Sequence, residues 1–248
     1  MIIKKFKLLA KLGVNWVLSL FELEVRRKHS TNRVTKHSTL KILKRLGLQP
    51  KTVIDVGVDI WGTTELYETF PNVKHVLIEP VEEYERDIMK LCERIKDVEF
   101  IKAAASNKSG ISKLSVKKGL TNSTLGEITE GTWKKELMRE VKVITLDEVC
   151  KKKKKPEPYL IKVDVDGKDL EVLEGASDIL KKTDCVIIES GIWDICRRTQ
   201  FLENRGFFLW DIVDFLYKKE VLFQVDLIFL NNKYQNHKFM PWITSKVL

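Results

Sequence analysis

The sequence predicts an α/β fold whose sheet is mainly parallel and carries an antiparallel hairpin at its C-terminal end. Short apolar segments alternate with helical segments from about residue 50 onward, which is typical of parallel strands joined by crossover helices. One strand runs into Asp55 and Gly57, and after a short helix the next strand ends at Glu79. This order predicts half of a nucleotide-binding βαβ unit. Two long apolar segments, 207–213 and 221–230, predict the hairpin.

Local sequence signals support the individual elements in order. A helix over 38–46 precedes the first strand and ends at Gly47, a residue that suits helix C-termini. The helix over 63–70 stops before Pro71, because proline cannot continue a helix. Thr145 is a residue type that caps helices, and it opens a short helix later in the chain. The other predicted strands are 53–56, 75–78, 98–103, 113–116, 140–144, 159–163 and 185–188, and the other predicted helices are 81–95, 170–173 and 201–204.

The positive charge of the chain is concentrated near its N-terminus. Residues 1–50 hold 12 Lys and Arg against two acids, so the rest is nearly neutral although the net charge is +9. We therefore predict a basic helical extension over 1–48 and a Rossmann-like domain over 49–248, with no nucleic acid bound across the domain. The longest uncharged run of the extension has ten residues, too few to span a membrane. We expect residues 1–30 to pack on the domain, contact a second copy in a homodimer, or lie on an anionic membrane surface.

The cysteines indicate a cytoplasmic protein without a structural metal site. The four cysteines are scattered along the chain and form no CxxC pair, which is typical of reduced thiols. Structural zinc usually requires closely spaced Cys and His ligands, and the sequence has no such cluster. No metal site is therefore expected, although assistance by a divalent metal at the acidic strand ends stays open.

The turn after the first strand favours a cationic cofactor that lacks phosphates. The pyrophosphate of a dinucleotide favours three close glycines, whereas this turn has only Gly57 and Gly62, with Asp59 between them. Asp59 would repel a pyrophosphate, but it suits the sulfonium and ammonium groups of S-adenosylmethionine. Glu79 stands 22 residues after Gly57, where an acid accepts hydrogen bonds from ribose hydroxyls. We therefore expect S-adenosylmethionine rather than NAD.

A second dense group of charges lies in segment 160–176, LIKVDVDGKDLEVLEGA. Lys162, Asp164 and Asp166 alternate at a strand end, so their side chains are expected to share one face. Burial of such ions without partners is costly, which favours a functional role for the group. A purely structural Lys–Asp network is the alternative.

Four blocks of the sequence, in order, resemble the FkbM family of S-adenosylmethionine-dependent methyltransferases. They are VIDVGV with GTTELYETFP, LIEP, VITLDEV and LIKVDVDGKDLEVLEGA, and AAASNKSG is a weaker match. The resemblance covers roughly residues 50–230. It implies a Rossmann-like class I methyltransferase fold with a mainly parallel seven-stranded sheet and an antiparallel C-terminal hairpin. It also implies methyl transfer to a hydroxyl oxygen, often of a sugar or a natural product.

The resemblance further implies roles for individual residues. Those expected to bind the cofactor are Asp55, Gly57, Val58, Gly62, Glu79, Ala104 and Ala105. Asp164 is expected beside the methionine part of the cofactor and the acceptor. The loop that contains Ile60 and Trp61 is one residue longer than is common in the family, and Trp61 is expected either to cover the cofactor or to fill an apolar gap.

Methyl transfer to an alcohol also requires a proton acceptor, a role that carboxylates can fill. We expect Asp164 or Glu189 to be that base, with Lys162 orienting a carboxylate or the acceptor hydroxyl. The predicted function is O-methylation of a glycan, a glycolipid or a small natural product. Two alternatives remain open, an NAD-dependent oxidoreductase and a non-catalytic scaffold or membrane-surface protein that keeps the fold.

Overall fold

The computed structural model describes residues 35–60, 62–116, 123–125, 137–152 and 154–240. The helices are α1 (Lys36–Leu46), α2 (Thr64–Thr69), α3 (Glu85–Cys92), α4 (Leu146–Lys152), α5 (Asp169–Glu174), α6 (Ser177–Leu180) and α7 (Ile195–Glu203). The strands are β1 (Thr52–Val56), β2 (Lys74–Ile78), β3 (Val98–Ile101), β4 (Ala104–Ala105), β5 (Gly110–Val116), β6 (Ser123–Leu125), β7 (Leu137–Ile144), β8 (Tyr159–Val163), β9 (Thr183–Gly191), β10 (Phe207–Lys218) and β11 (Val221–Asn231). Single 3₁₀ turns occur at Glu82–Tyr84, Ile192–Asp194 and Asn232–Tyr234.

The larger sheet has seven strands in the order β10-β11-β9-β8-β1-β2-β3. Neighbouring strands from β9 to β3 run parallel, whereas β11 is antiparallel to both β9 and β10. This arrangement confirms the predicted Rossmann-like sheet and its C-terminal hairpin. The carboxyl ends of the parallel strands lie along one edge, which is where ligands bind in open α/β sheets.

Helices cover both faces of this sheet. Every residue of β1 and of β8 is buried, as expected for parallel strands that lie between two layers of helices. Apolar residues of α1, α2 and α3 share one core with the sheet, and those of α4 to α7 share the other. The two cores hold the strand ends rigidly in place.

A second sheet of four strands, in the order β4-β7-β5-β6, is a feature that the sequence does not predict. The expected strands at 113–116 and 140–144 are longer in the structure, where β5 and β7 pair in antiparallel fashion. The two-residue strand β4 pairs with the end of β7. These pairings join segments that are far apart in the sequence, and no local pattern shows them.

Helix α1 packs into the core of the domain. Thr35 accepts a hydrogen bond from the backbone N–H of Ser38 at its start (3.3 Å), and Gly47 ends it with φ 105°. Leu40 and Leu43 are fully buried within the same core as α2 and α3. The segment 36–46, which the sequence analysis placed in the N-terminal extension, therefore shares the core of the α/β domain.

The remainder of the predicted extension, residues 1–34, lies outside the described residues. The expected contacts of residues 1–30 with a membrane or a second copy stay predictions. Within the described parts of the chain, no helix combines the length and the hydrophobicity that crossing a membrane requires.

Replacement of Leu43 by alanine is expected to lower the free energy of unfolding by about 2–5 kcal/mol, because it leaves a cavity under α1. Lys41→Ala, at an exposed position of the same helix, is the matched control and should change stability by less than about 0.5 kcal/mol. Chemical denaturation of both variants measures the difference. Equal stabilities of the two variants would show that α1 does not belong to the folded core.

Candidate active site

A cavity of about 440 Å³ lies at the carboxyl ends of the parallel strands. Its walls come from the turn after β1, the residues after β2, the segment 103–105, the loop after β8, Glu189 on β9 and the C-terminal hairpin. The described lining residues include five acids, Asp59, Glu79, Asp164, Asp166 and Glu189, and two lysines, Lys168 and Lys218. This excess of negative charge favours a positively charged ligand.

Gly57 is required by the close approach of three strand ends. Its φ is +78°, and a Cβ atom at this position would lie 1.8 Å from the carbonyl oxygen of Asp164. The N–H of Gly57 donates to the carbonyl of Ile78 (3.0 Å), and the N–H of Asp164 donates to that of Val56 (3.0 Å). The turn therefore joins the ends of β1, β2 and β8, and it leaves the Gly57 backbone at the cavity wall.

Asp55 lies beneath the turn and not among the residues that line the cavity. It is fully buried, and it accepts hydrogen bonds from the backbone N–H and the hydroxyl of Thr63 (both 3.2 Å) and from the hydroxyl of Tyr67. These contacts fasten the start of α2 to the end of β1. The predicted contact between Asp55 and a cofactor stays a prediction, and the contacts present are structural.

Two other residues that the sequence analysis assigned to the cofactor also lie outside the lining. Val58 is 2% exposed and packs in the core with α2 and α3. Gly62 has φ +59°, and a Cβ atom there would meet the side chains of Leu91 and Tyr67. By contrast, Gly57, Glu79, Ala104 and Ala105 all line the cavity. Trp61 lies outside the described residues, so its expected role stays a prediction.

Glu79 presents a buried carboxylate to the cavity. One oxygen accepts from the N–H of Val81 (3.0 Å) and the other from the N–H of Asp59 (3.2 Å). Burial raises the pKa of Glu79 above its usual value, although these hydrogen bonds partly oppose the shift. Each oxygen retains a lone pair that can accept a hydroxyl hydrogen. The geometry suits recognition of two neighbouring hydroxyls.

The ammonium of Lys162 is buried between two carboxylates. It lies 3.0 Å from Asp164 Oδ2 and 3.6 Å from Asp55 Oδ1, and it donates to the carbonyl of Gly57 (3.2 Å). Burial alone would lower its pKa, but the charges of Asp164 and Asp55 raise the pKa above the ordinary value. Lys162 does not line the cavity, and its contact with Asp164 holds that carboxylate in place. The predicted alternative, orientation of an acceptor hydroxyl by Lys162, stays a prediction.

Asp164 and Glu189 form an acid pair at the ends of β8 and β9. Burial and the negative charge of Asp164, followed by that of Asp226, raise the pKa of Glu189 to about 8. Burial would also raise the pKa of Asp164, but the ammonium of Lys162 holds it below its usual value. At neutral pH the pair therefore shares one proton, held mainly by Glu189, so the cavity contains an ionised carboxyl group next to a protonated one.

Residues that the sequence analysis did not identify surround this pair. Gln224 donates a hydrogen bond to the Glu189 carboxyl, and Asp226 is the register partner of Glu189 on β11. Lys36 of α1 pairs with Asp226 (2.5 Å) and with Asp214 (3.3 Å). The antiparallel register between β9 and β11 places Gln224 and Asp226 near Glu189, and a single sequence carries no signal for that register.

Asp169 has a structural role in the loop after β8. Its carboxylate accepts from the N–H of Val165 (3.2 Å) and pairs with Arg198 (2.6 Å), and both charged side chains are buried. This ion pair ties the loop to α7. Asp166 lies in the same loop with φ 25° and faces the cavity.

Comparison with known proteins places these features in one family. The profile of the Methyltransferase FkbM domain matches residues 55–218, more than half of the chain. The matched segment contains Gly57, Glu79, Asp164 and Glu189. No curated protein sequence matches the chain.

Solved structures with a similar arrangement include two methyltransferases and a pre-rRNA processing protein. A precorrin-6y C5,15-methyltransferase from Geobacter metallireducens GS-15 is 13% identical, with a TM-score of 0.44 over 85% of this chain and 94% of that chain. An rRNA methylase from Streptococcus thermophilus is 11% identical, with a TM-score of 0.47 over 81% and 98%. The Methanococcus jannaschii fibrillarin pre-rRNA processing protein is 14% identical, with a TM-score of 0.46 over 81% and 76%. We draw no functional conclusion from similarities at this level.

The raised pKa of Glu189 predicts a pH-dependent stability. The folded protein holds this proton up to a pH of about 8, whereas the unfolded chain releases it near 4.5, so the stabilising contribution of protonated Glu189 is lost as the pH rises through this window. Glu189→Gln, which mimics the protonated form, should therefore gain stability relative to the wild type as the pH rises.

Urea denaturation of the wild type and of Glu189→Gln between about pH 5 and pH 9 measures this difference. Glu93→Gln, at an exposed position, is the matched control and should keep a constant offset from the wild type. A constant offset for Glu189→Gln as well would contradict the protonated state of Glu189.

Proposed function

The chain belongs to the FkbM methyltransferase family, and on that premise we propose that it is an S-adenosylmethionine-dependent O-methyltransferase that acts on a hydroxyl group of a glycan, a glycolipid or a small natural product. The observation that carries this proposal is the Asp164–Glu189 pair, which lies in the same cavity as Glu79. Glu79 suits a ribose, and an ionised carboxylate within the cavity suits an acceptor that must lose a proton.

The chemistry of the cavity fits S-adenosylmethionine. The Glu79 carboxylate would hold the ribose hydroxyls, and the apolar walls at Val81 and Leu114 would take the adenine ring. The acidic lining suits a sulfonium cation, and the Gly57 backbone can approach a ligand closely. When bound, S-adenosylmethionine supplies an electrophilic methyl group.

Residues of the chain would prepare the acceptor for this chemistry. Asp164 is ionised and is held by Lys162, so its free oxygen can accept the proton of an acceptor hydroxyl. Glu189 keeps its own proton beside Asp164, which limits the build-up of negative charge. Because the leaving group of methyl transfer is neutral, alignment of the acceptor and exclusion of water remain the main tasks of the site.

The other two hypotheses have less support. Membership of a methyltransferase family and the acid Asp59 beside the turn both disfavour an NAD-dependent oxidoreductase. A non-catalytic scaffold would not need an ionised carboxylate beside a protonated one at the cavity wall. Detection of methyl transfer to any acceptor would exclude the non-catalytic hypothesis.

Glu79→Gln is expected to weaken the binding of S-adenosylhomocysteine by roughly ten- to a hundredfold, because a charge-assisted hydrogen bond to the ribose becomes a neutral one. Isothermal titration calorimetry measures this affinity, with NAD as a second ligand that should show no binding. Glu93→Gln is the control and should bind as the wild type does. Tight binding of NAD, or equal affinities of the two variants, would contradict the proposed cofactor site.

Asp164→Asn is expected to reduce methyl transfer by about 100- to 10,000-fold, because it removes the proton acceptor. Transfer of labelled methyl groups from S-adenosylmethionine to a panel of glycans, glycolipids and small hydroxylated compounds measures this loss. Asp178→Asn, remote from the cavity and exposed, is the control. Undiminished methyl transfer by Asp164→Asn would exclude Asp164 as the base. Wild-type protein that binds S-adenosylhomocysteine but methylates no compound in the panel would support the non-catalytic hypothesis.

A further inference from the structure

Trp193 is an exposed aromatic residue whose ring is nevertheless held in place. It lies in the 3₁₀ turn Ile192–Asp194, directly after β9, and is 67% exposed. Its ring lies so close to Gly191 that a Cβ atom there would be 2.5 Å from the indole. A second contact is with Phe223, at a centroid distance of 5.2 Å and an interplanar angle of 66°. Core packing does not require this arrangement, because most of the ring faces solvent.

Trp193 is not itself among the lining residues, but its neighbours connect it to the cavity. Phe223 and Lys218 both line the cavity, and the Lys218 ammonium lies 3.4 Å from the centroid of the Phe223 ring. Within the described residues, no acid pairs with Lys218. The other lysine of the lining, Lys168, is already paired with Glu171 (2.6 Å). The hairpin side of the cavity therefore combines an aromatic surface with an available positive charge.

This surface adjoins the acid pair. Trp193 follows Glu189 by four residues, at the same carboxyl end of β9. Gln224, which donates to Glu189, is next in sequence to Phe223 and is the register partner of Gly191. A ring placed on Trp193 and Phe223 would thus lie beside the carboxylates that handle the acceptor proton.

We propose that Trp193, Phe223 and Lys218 form the acceptor subsite and that it binds a sugar ring that carries a carboxylate or a phosphate. The inference rests on the proposed function, and it names the substrate class of that site. The apolar face of a sugar ring can pack on the exposed indole, because aromatic side chains offer rigid contact area at low entropic cost. The Lys218 ammonium pairs with the anionic group. A hydroxyl on the ring then reaches Asp164.

Gly191 allows a test that moves the indole without removing it. Gly191 has φ −62° and ψ 148°, a backbone conformation that any residue adopts. Gly191→Ala therefore adds one methyl group that displaces the Trp193 ring and leaves the backbone unstrained. Because Trp193 is exposed, the variant should fold as the wild type does.

The experiment uses saturation-transfer NMR on full-length protein that is saturated with S-adenosylhomocysteine. The probes are methyl glucuronide, glucose 6-phosphate and neutral methyl glucoside. We expect one or both anionic probes to bind at least about tenfold more tightly than the glucoside, and Gly191→Ala and Trp193→Ala to weaken that binding by about tenfold. Lys218→Gln should abolish the preference for the anionic probes. Tyr217→Ala is the matched control and should change nothing, because Tyr217 is an exposed aromatic residue that, within the described residues, makes no ring contact with Phe223 such as Trp193 makes.

The outcomes separate the subsite from the cofactor site. Failure of S-adenosylhomocysteine to bind would contradict the proposed function itself. If S-adenosylhomocysteine binds normally but neither anionic probe binds, the subsite alone is overturned. The same holds if Gly191→Ala and Trp193→Ala bind the anionic probes as tightly as the wild type does. Equal binding of glucoside and anionic probes would overturn the role of Lys218. The protein is also sedimented with phosphatidylglycerol vesicles. If the wild type cosediments and Trp193→Ala does not, the indole ring contacts a membrane surface and the proposal is overturned.

Discussion

The buried ammonium of Lys162 is the interaction on which the site depends. It joins Asp55 beneath the turn, the carbonyl of Gly57 within the turn and Asp164 at the cavity wall. Without it, the fully buried Asp55 carboxylate and the partly exposed Asp164 carboxylate would both lose this counter-charge. For a fully buried pair, such as Lys162 with Asp55, loss of one partner typically costs about 3–5 kcal/mol. The Lys162 ammonium thus stabilises the turn after β1, the carboxylate of Asp55 that holds α2, and the orientation of the Asp164 carboxylate in the cavity.

Further charged residues lie between Lys162 and the β10–β11 hairpin, and one of them is paired with α1. Glu189 lies between Asp164 and Asp226, and Lys36 neutralises Asp226 from α1. Burial, together with the negative charges on both sides, raises the pKa of Glu189, and the Lys36 ammonium helps to lower the pKa of Asp164. The ionisation of the cavity therefore depends in part on a helix that does not line it. This explains why α1 belongs to the site as well as to the core.

The sequence predicts those parts of the site that are contiguous in the chain. The order of Gly57 and Glu79 around one βαβ unit, and the alternation of Lys162 and Asp164 on one strand, are local patterns that parallel strands translate directly into proximity. The pattern does not show on which side of the turn a carboxylate lies. Asp55 accordingly has the expected strand position but contacts α2 instead of the cavity.

Contacts that depend on register cannot be predicted from the sequence in the same way. Gln224 and Asp226 reach Glu189 because β11 pairs with β9 in antiparallel register, and Lys218 reaches the cavity along β10, whose pairing with β11 contains irregularities. A shift of one residue would turn each of these side chains to the other face. The second sheet cannot be predicted locally either, because 20 residues, 117–136, separate β5 from β7 in the sequence.

The most direct test of the central role of Lys162 is a crystal structure of the protein with S-adenosylhomocysteine. We expect the ribose hydroxyls at the Glu79 carboxylate, the amino-acid part near Gly57 and Asp164, and the Lys162 ammonium still between Asp55 and Asp164 without contact to the ligand. A ligand bound outside this cavity, or a Lys162 side chain that leaves the two carboxylates to contact the ligand, would contradict the interpretation.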